Sequence, residues 1–249
     1  MKYLNLIFVA ALSSLLMLAS CEKDDNDESE PNKHEDAFAD VFVKKVKSPQ
    51  VDKYGLVFYA GWQGLTSCVA TGPDGNEYEL AEFWKGAGNM RKHPKDDEMQ
   101  DEMSKTGEYS FMLTFEDGQT ITLHDELKDE EIPAITGVNV THEEGSEEVT
   151  ATWNEVTGAD NYMVKLTDQY KNRNEPIFNH KALSPSDTTY TFDKNTSDAS
   201  PGWMQSGLPN AGDTSYVMVV AIKYEEGVEG AEKEQNKQMN TVKAVEIVW

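Results

Sequence analysis

Side chains that could hold a metal, move a proton or attack carbon are scattered along this chain. His34, His93, His124, His142 and His180 stand far apart, with no H-E-x-x-H pair, so a histidine-based zinc site has no sequence support. Cys68 falls in an apolar stretch, Ser67-Cys68-Val69-Ala70, with no activating base beside it, and is expected to be a core thiol rather than a nucleophile. Asp193, Asn195, Ser197 and Asp198 have the oxygen-rich alternation of a calcium loop but lack the glycine and closing glutamate of an EF-hand. A turn between strands accounts for them equally well. Acid pairs for glycoside hydrolysis need placement across a cleft rather than a linear motif, so the 45 acidic residues say almost nothing about that chemistry. No G-x-S-x-G, P-loop or dinucleotide fingerprint is present. The expectation is no catalytic residue, no metal site and no cofactor. The most suggestive stretch is WKGAGNMRKHPK, from Trp84 to Lys95, the one basic cluster in a chain of net charge −23. Its glycines read as a loop, and Tyr59 and Trp62 precede it. Aromatic faces beside a basic loop can stack on sugar rings and hold an acidic group, which makes Trp62, Trp84 and Arg91 the candidate ligand-binding residues. The competing reading is structural: small sandwiches usually bury their tryptophans, and the basic residues balance the acids from Asp96 to Glu102.

The second cysteine carries a different chemistry. Lys2 precedes an apolar run from Leu4 to Leu18, broken by Asn5, Ser13 and Ser14 and followed by Ala19, Ser20 and Cys21. This is the plan of a cleaved secretory leader, residues 1–20. The run falls short of the about 20 apolar residues of a comfortable membrane-spanning helix. Leu18-Ala19-Ser20-Cys21 resembles the bacterial lipobox. The resemblance implies that Cys21 receives diacylglycerol and an N-acyl chain such as palmitate, giving a stable membrane anchor. Residues 21–37 form an acidic, self-repelling tether without large apolar side chains until its end. Lys23-Asp24-Asp25, just after the cysteine, resembles the export signal of Bacteroidetes-type lipoproteins, which implies an outer-membrane location facing the cell exterior.

The strongly acidic surface repels phosphate backbones, so nucleic acid is excluded as a partner. With Cys21 consumed by lipid, Cys68 has no disulfide partner, and stability must come from packed cores. The length beyond the tether predicts two domains, 38–128 and 135–249, joined by a linker at 129–134. In the first, Tyr109, Phe111, Leu113 and Phe115 alternate with polar residues, and Asp117-Gly118 turns the chain into Gln119 to Leu123. Further strands are expected at Val41–Val46, Tyr54–Ala60, Ser67–Thr71 and Glu77–Trp84, and one helix at Lys95–Ser104 after Pro94. Such a pattern predicts a small β-sandwich.

In the second segment Val149, Ala151 and Trp153 alternate with threonines, Tyr162, Val164 and Leu166 share a face, and so do Tyr216, Met218, Val220 and Ile222. The stretches VTATWNEVTGADNYMVKL (149–166) and GLPNAGDTSYVMVVAI (207–222) resemble a fibronectin type III domain. The resemblance implies an immunoglobulin-like sandwich in which Trp153 is core and Leu208 and Tyr216 form a tyrosine corner. The fold class expected is therefore all-β, two sandwiches after a leader and tether. Bacterial modules of this family commonly act as spacers or interaction domains, so the function expected is a non-catalytic, surface-exposed binding or spacer module, with glycans as a candidate ligand. Two other readings stay open: an accessory subunit docking on another outer-membrane protein, and a polysaccharide hydrolase using paired carboxylates.

Overall fold

The computed structural model describes residues 33–84, 86–143, 146–168, 176–199, 201–204, 208–228 and 235–249, with Trp84 and Ala182 described in their backbone only. The leader, Cys21 and Lys23-Asp24-Asp25 lie outside the described residues.

Alternation of apolar and polar side chains builds the first half. Its strands are β1 (Phe38–Val46), β2 (Lys53–Gly61), β3 (Leu65–Thr71), β4 (Glu77–Trp84), β5 (Asn89–Lys92), β6 (Gly107–Phe115) and β7 (Thr120–Leu127). On β6, Tyr109, Phe111, Leu113 and Phe115 are all buried while their neighbours are not. Gly118, at φ +81°, supplies the left-handed residue that returns β6 into β7. β4 serves two layers. Its first part, from Glu77 to Leu80, pairs with β3, and its second part, from Ala81, pairs with β5 through a ladder that has a register irregularity between Glu82 and Trp84. The layers close on one another through Phe58 of β2, which stacks on Tyr78 at 4.5 Å and meets Tyr109 and Phe111 edge-on at 5.9 and 6.2 Å.

The second half places β8 (Asn139–His142), β9 (Val149–Thr152) and β12 (Thr189–Phe192) in a three-stranded sheet ordered β12-β9-β8. Opposite lie β10 (Asn161–Thr167), β11 (Phe178–Leu183), β13 (Pro201–Trp203), β14 (Thr214–Tyr224) and β15 (Lys237–Val248), ordered β13-β11-β10-β14-β15. The layers meet where Phe178 of β11 stacks on Phe192 of β12, centroids 4.4 Å apart. Trp153, 4% exposed, lies against Tyr162 at 5.3 Å. Two antiparallel sheets divided this way make an immunoglobulin-like sandwich of the fibronectin type III kind.

The two halves share one ladder. β1 runs parallel to β15, with Val43 opposite Met239 and Val46 opposite Val242, so twelve strands form a continuous sheet, β13-β11-β10-β14-β15-β1-β2-β5-β4-β3-β6-β7. The segment 129–134, expected as a linker, is packed into this junction. Ile132 is 1% exposed, and Lys45, 5% exposed, holds the Glu131 carboxylate, donates to the Ile132 carbonyl at 3.1 Å and reaches Asp52 at 3.5 Å. Residues Asp36–Trp249 form one compact unit.

Three local expectations are corrected. The helix at Lys95–Ser104 is a single 3-10 turn, Asp96–Glu98. Its continuation is pre-empted because Gln100 exchanges two backbone hydrogen bonds of 2.8 Å with Tyr54, leaving Met99 extended. The basic loop contains β5, which pairs with both β2 and β4. Tyr216 forms no tyrosine corner. The inward residues of β14 are Ser215, Val217, Val219 and Ala221, and Tyr216 faces the other way, its hydroxyl donating to Glu246 at 3.0 Å. Because side chains alternate, a shift of one residue moves the whole set to the opposite face.

Candidate ligand groove

Among the described residues, no second sheet covers the outward face of β14. Met163 of β10 and Val220, Ile222 and Tyr224 of β14 form a small apolar cluster of their own, with Val242 of β15 packed against it. Beside it, across the β1–β15 ladder, the same face of the sheet continues with Phe38, Phe42 and Lys44 of β1 and Val57 and Tyr59 of β2. β1 is buried on both sides for this reason: Val41 and Val43 belong to the sandwich core, while Phe42 turns to the groove. The resulting concavity has a volume of about 440 Å³, within the range usual for small-molecule sites.

Its charge departs from that of the chain. Lys44, Arg91, Lys165, Lys181 and Lys237 line it together with His93, and among the described lining residues there is no aspartate or glutamate. Arg91, on β5, is held by aromatic faces: its guanidinium lies 4.0 Å from the Phe83 ring centre and 4.8 Å from that of Tyr59. Tyr59 is fixed in turn by Phe38, edge-on at 5.2 Å, and its hydroxyl donates to Asn89 at 3.3 Å. Burial holds the Arg91 pKa below the ordinary guanidinium value, partly offset by Tyr59. Lys237 places its ammonium 5.9 Å from the Phe42 ring. Cations on an apolar floor suit an anionic ligand that also offers a ring or hydrocarbon face.

Of the residues singled out in the sequence, Arg91 lies in this groove. Trp62 does not; it packs partly buried against the core at the β2–β3 turn, where its amide donates to the Gly88 carbonyl at 3.0 Å. The close approach explains Gly88, since a Cβ there would stand 2.0 Å from the Trp62 carbonyl oxygen. Trp84 ends β4, and its side chain is outside the described residues. The aromatic residues Phe38 and Phe83 and the methionines were missed, because their common face follows from strand parity on elements far apart in sequence. Cys68 is 1% exposed, and burial pushes its thiol pKa up to about 12, the condition of an inert core cysteine. Asp193 is occupied by its own turn: its carboxylate accepts the Asn195 amide at 2.8 Å and the Thr196 hydroxyl at 3.1 Å.

This is the construction of an all-β protein with a fibronectin type III-like sandwich and a groove on the sheet's outer face. No family model and no curated protein matches the chain. Among solved structures, a two-domain fibronectin type III segment of chicken tenascin is similar over 86% of this chain and 99% of that one, at 12% identity and a TM-score of 0.31. The FN1–FN3 domains of chicken CNTN1 cover 85% of this chain and 64% of that one, at 11% identity and a TM-score of 0.32. Likenesses this distant carry no functional argument, and the class rests on strand order and sheet pairing.

Proposed function

We propose that the chain is a non-catalytic binding module, carried on the outer face of the outer membrane by lipidated Cys21, whose groove takes a short acidic glycan or a comparable anionic ring compound. The observation that carries this reading is the inversion of charge: a groove lined by five lysines and arginines without a described carboxylate, in a chain of net charge −23. Low-dielectric walls focus that local field. The overall charge repels long polyanions, which favours an oligosaccharide small enough to sit within the groove. The stacked Arg91 offers a planar donor fork to a carboxylate, and Tyr59 and Phe83 hold that fork in place. The Lys23-Asp24-Asp25 motif and the length of the tether support the surface location.

The experiment is a calorimetric titration of the full chain with an acidic oligosaccharide and with its neutral counterpart. Binding of the acidic sugar alone, weakened by Arg91→Ala, is expected. Equal binding of both sugars, or an unchanged affinity in Arg91→Ala, would sink the groove assignment. Separately, Cys21→Ser should move the protein from the membrane to the soluble fraction, and retention at the membrane would remove the anchor.

A further inference from the structure

Where the two halves meet, β1 has an edge that β15 does not cover. β15 begins to pair only at Val43, so the amide of Val41 is left to the Asp125 carboxylate of β7, at 2.6 Å. The other Asp125 oxygen accepts the Glu126 amide at 2.9 Å. Next to Val41, Asp40 is 0% exposed, and one of its oxygens accepts the Lys237 amide at 3.1 Å. Glu225, at the end of β14, brings a third carboxyl, so that one oxygen from each of Asp40, Asp125 and Glu225 lies within 4.8 Å of the others. None of the three lines the groove, although Lys237, whose amide Asp40 accepts, does.

Glu225 and Asp125 share a side-chain hydrogen bond, yet Asp40 Oδ2 and Glu225 Oε1 are both enclosed and have no hydrogen-bond partner among the described residues. A buried carboxylate oxygen left this way is costly, and native proteins rarely leave one uncompensated. Lys237 and Lys128 offset part of the negative charge, while Glu126 adds to it. A shared proton can bridge one pair of the three carboxyls. A cation can bridge all of them, because oxygens bound to one calcium ion at about 2.3–2.6 Å stand no more than about 5 Å apart. The donors are all oxygen, with neither histidine nor thiol in the group, which selects a hard ion. Magnesium demands near-ideal octahedral geometry and retains its waters, whereas calcium accepts an irregular set of carboxylates.

We propose that Asp40, Asp125 and Glu225 form a calcium site that clamps the uncovered edge of β1 to the ends of β7 and β14. The ion takes one oxygen from each of the three residues and compensates the enclosed oxygens that have no partner among the described residues.

The test uses the full chain, stripped with a chelator and titrated with calcium chloride alone. Saturable binding of one equivalent is expected, with a rise in Tm and slower hydrogen exchange at the Val41 and Lys237 amides. Asp125→Asn and Glu225→Gln should each weaken binding by an order of magnitude or more, and Asp193→Asn should leave it unchanged. No saturable binding by the wild-type chain at millimolar calcium would overturn the site, as would binding that raises neither Tm nor the protection of those two amides. Both readouts on the wild type decide the matter even if a variant does not fold. The sugar titration above is independent, so either proposal can fail alone.

Discussion

Cys68 sits on β3 opposite Leu80 of β4 and Leu113 of β6, and it is 1% exposed. With its pKa raised to about 12 by burial, the thiol stays neutral and shielded at ordinary pH. A charged maleimide at about pH 8 should therefore leave the folded chain unlabelled at Cys68 and react once denaturant is added; rapid labelling of the folded protein would contradict the buried position. Lys45 makes a complementary case. Its ammonium is the donor for the Ile132 carbonyl and neutralises Glu131 and Asp52, so a methionine of similar length keeps the packing but strands the Ile132 carbonyl, while Glu131 retains the Tyr54 hydroxyl and Asp52 retains Lys47. Lys45→Met should lower stability by about 1–3 kcal/mol in urea unfolding. An unchanged midpoint would mean that water serves those groups equally well. At this scale the sequence was informative about chemistry but not about placement. Arg91 stood out by its charge, whereas Asp40 reads as one acid among 45 until β1, β7 and β14 are brought together.

Strand by strand, legibility followed the strength of the alternation. β6 and β9 show their buried face directly, since Tyr109, Phe111, Val149 and Ala151 are each followed by a polar or exposed partner. β14 misled for the opposite reason: both its faces are apolar, one for the sandwich and one for the groove, so periodicity could not say which face holds the core. The basic stretch hid β5 because four residues between a glycine turn and Pro94 are too few for a period to register. The acidic turn at Asp96 looked like a helix start and was one in its first step, with the Glu98 carboxylate accepting the Lys95 amide at 2.7 Å. Only the distant Tyr54 backbone stopped it. On β9's far end, Trp153 fills the sandwich against Tyr162, and Trp153→Ala should cost about 3–5 kcal/mol by equilibrium unfolding. A loss below about 0.5 kcal/mol, the ordinary range for a surface substitution, would place that ring outside the core.

For the molecule as a whole, the same substitution asks how many units there are. The β1–β15 ladder, the buried Ile132 and Ile135 and the Lys45 bridge all join the halves. One cooperative melting transition is expected, displaced as a whole by Trp153→Ala. Two transitions, of which only one moves, would instead make residues 38–128 and 135–249 independent folding units. The joined sheet also bears on time. The Lys237 amide meets Asp40 across 197 residues of chain. Contacts so remote in sequence are slow to form, because the loop between them must be closed before they return any stability. Until β15 docks, β1 holds one edge waiting and the groove lacks one wall; the arrival of a single strand from far along the chain completes both at once.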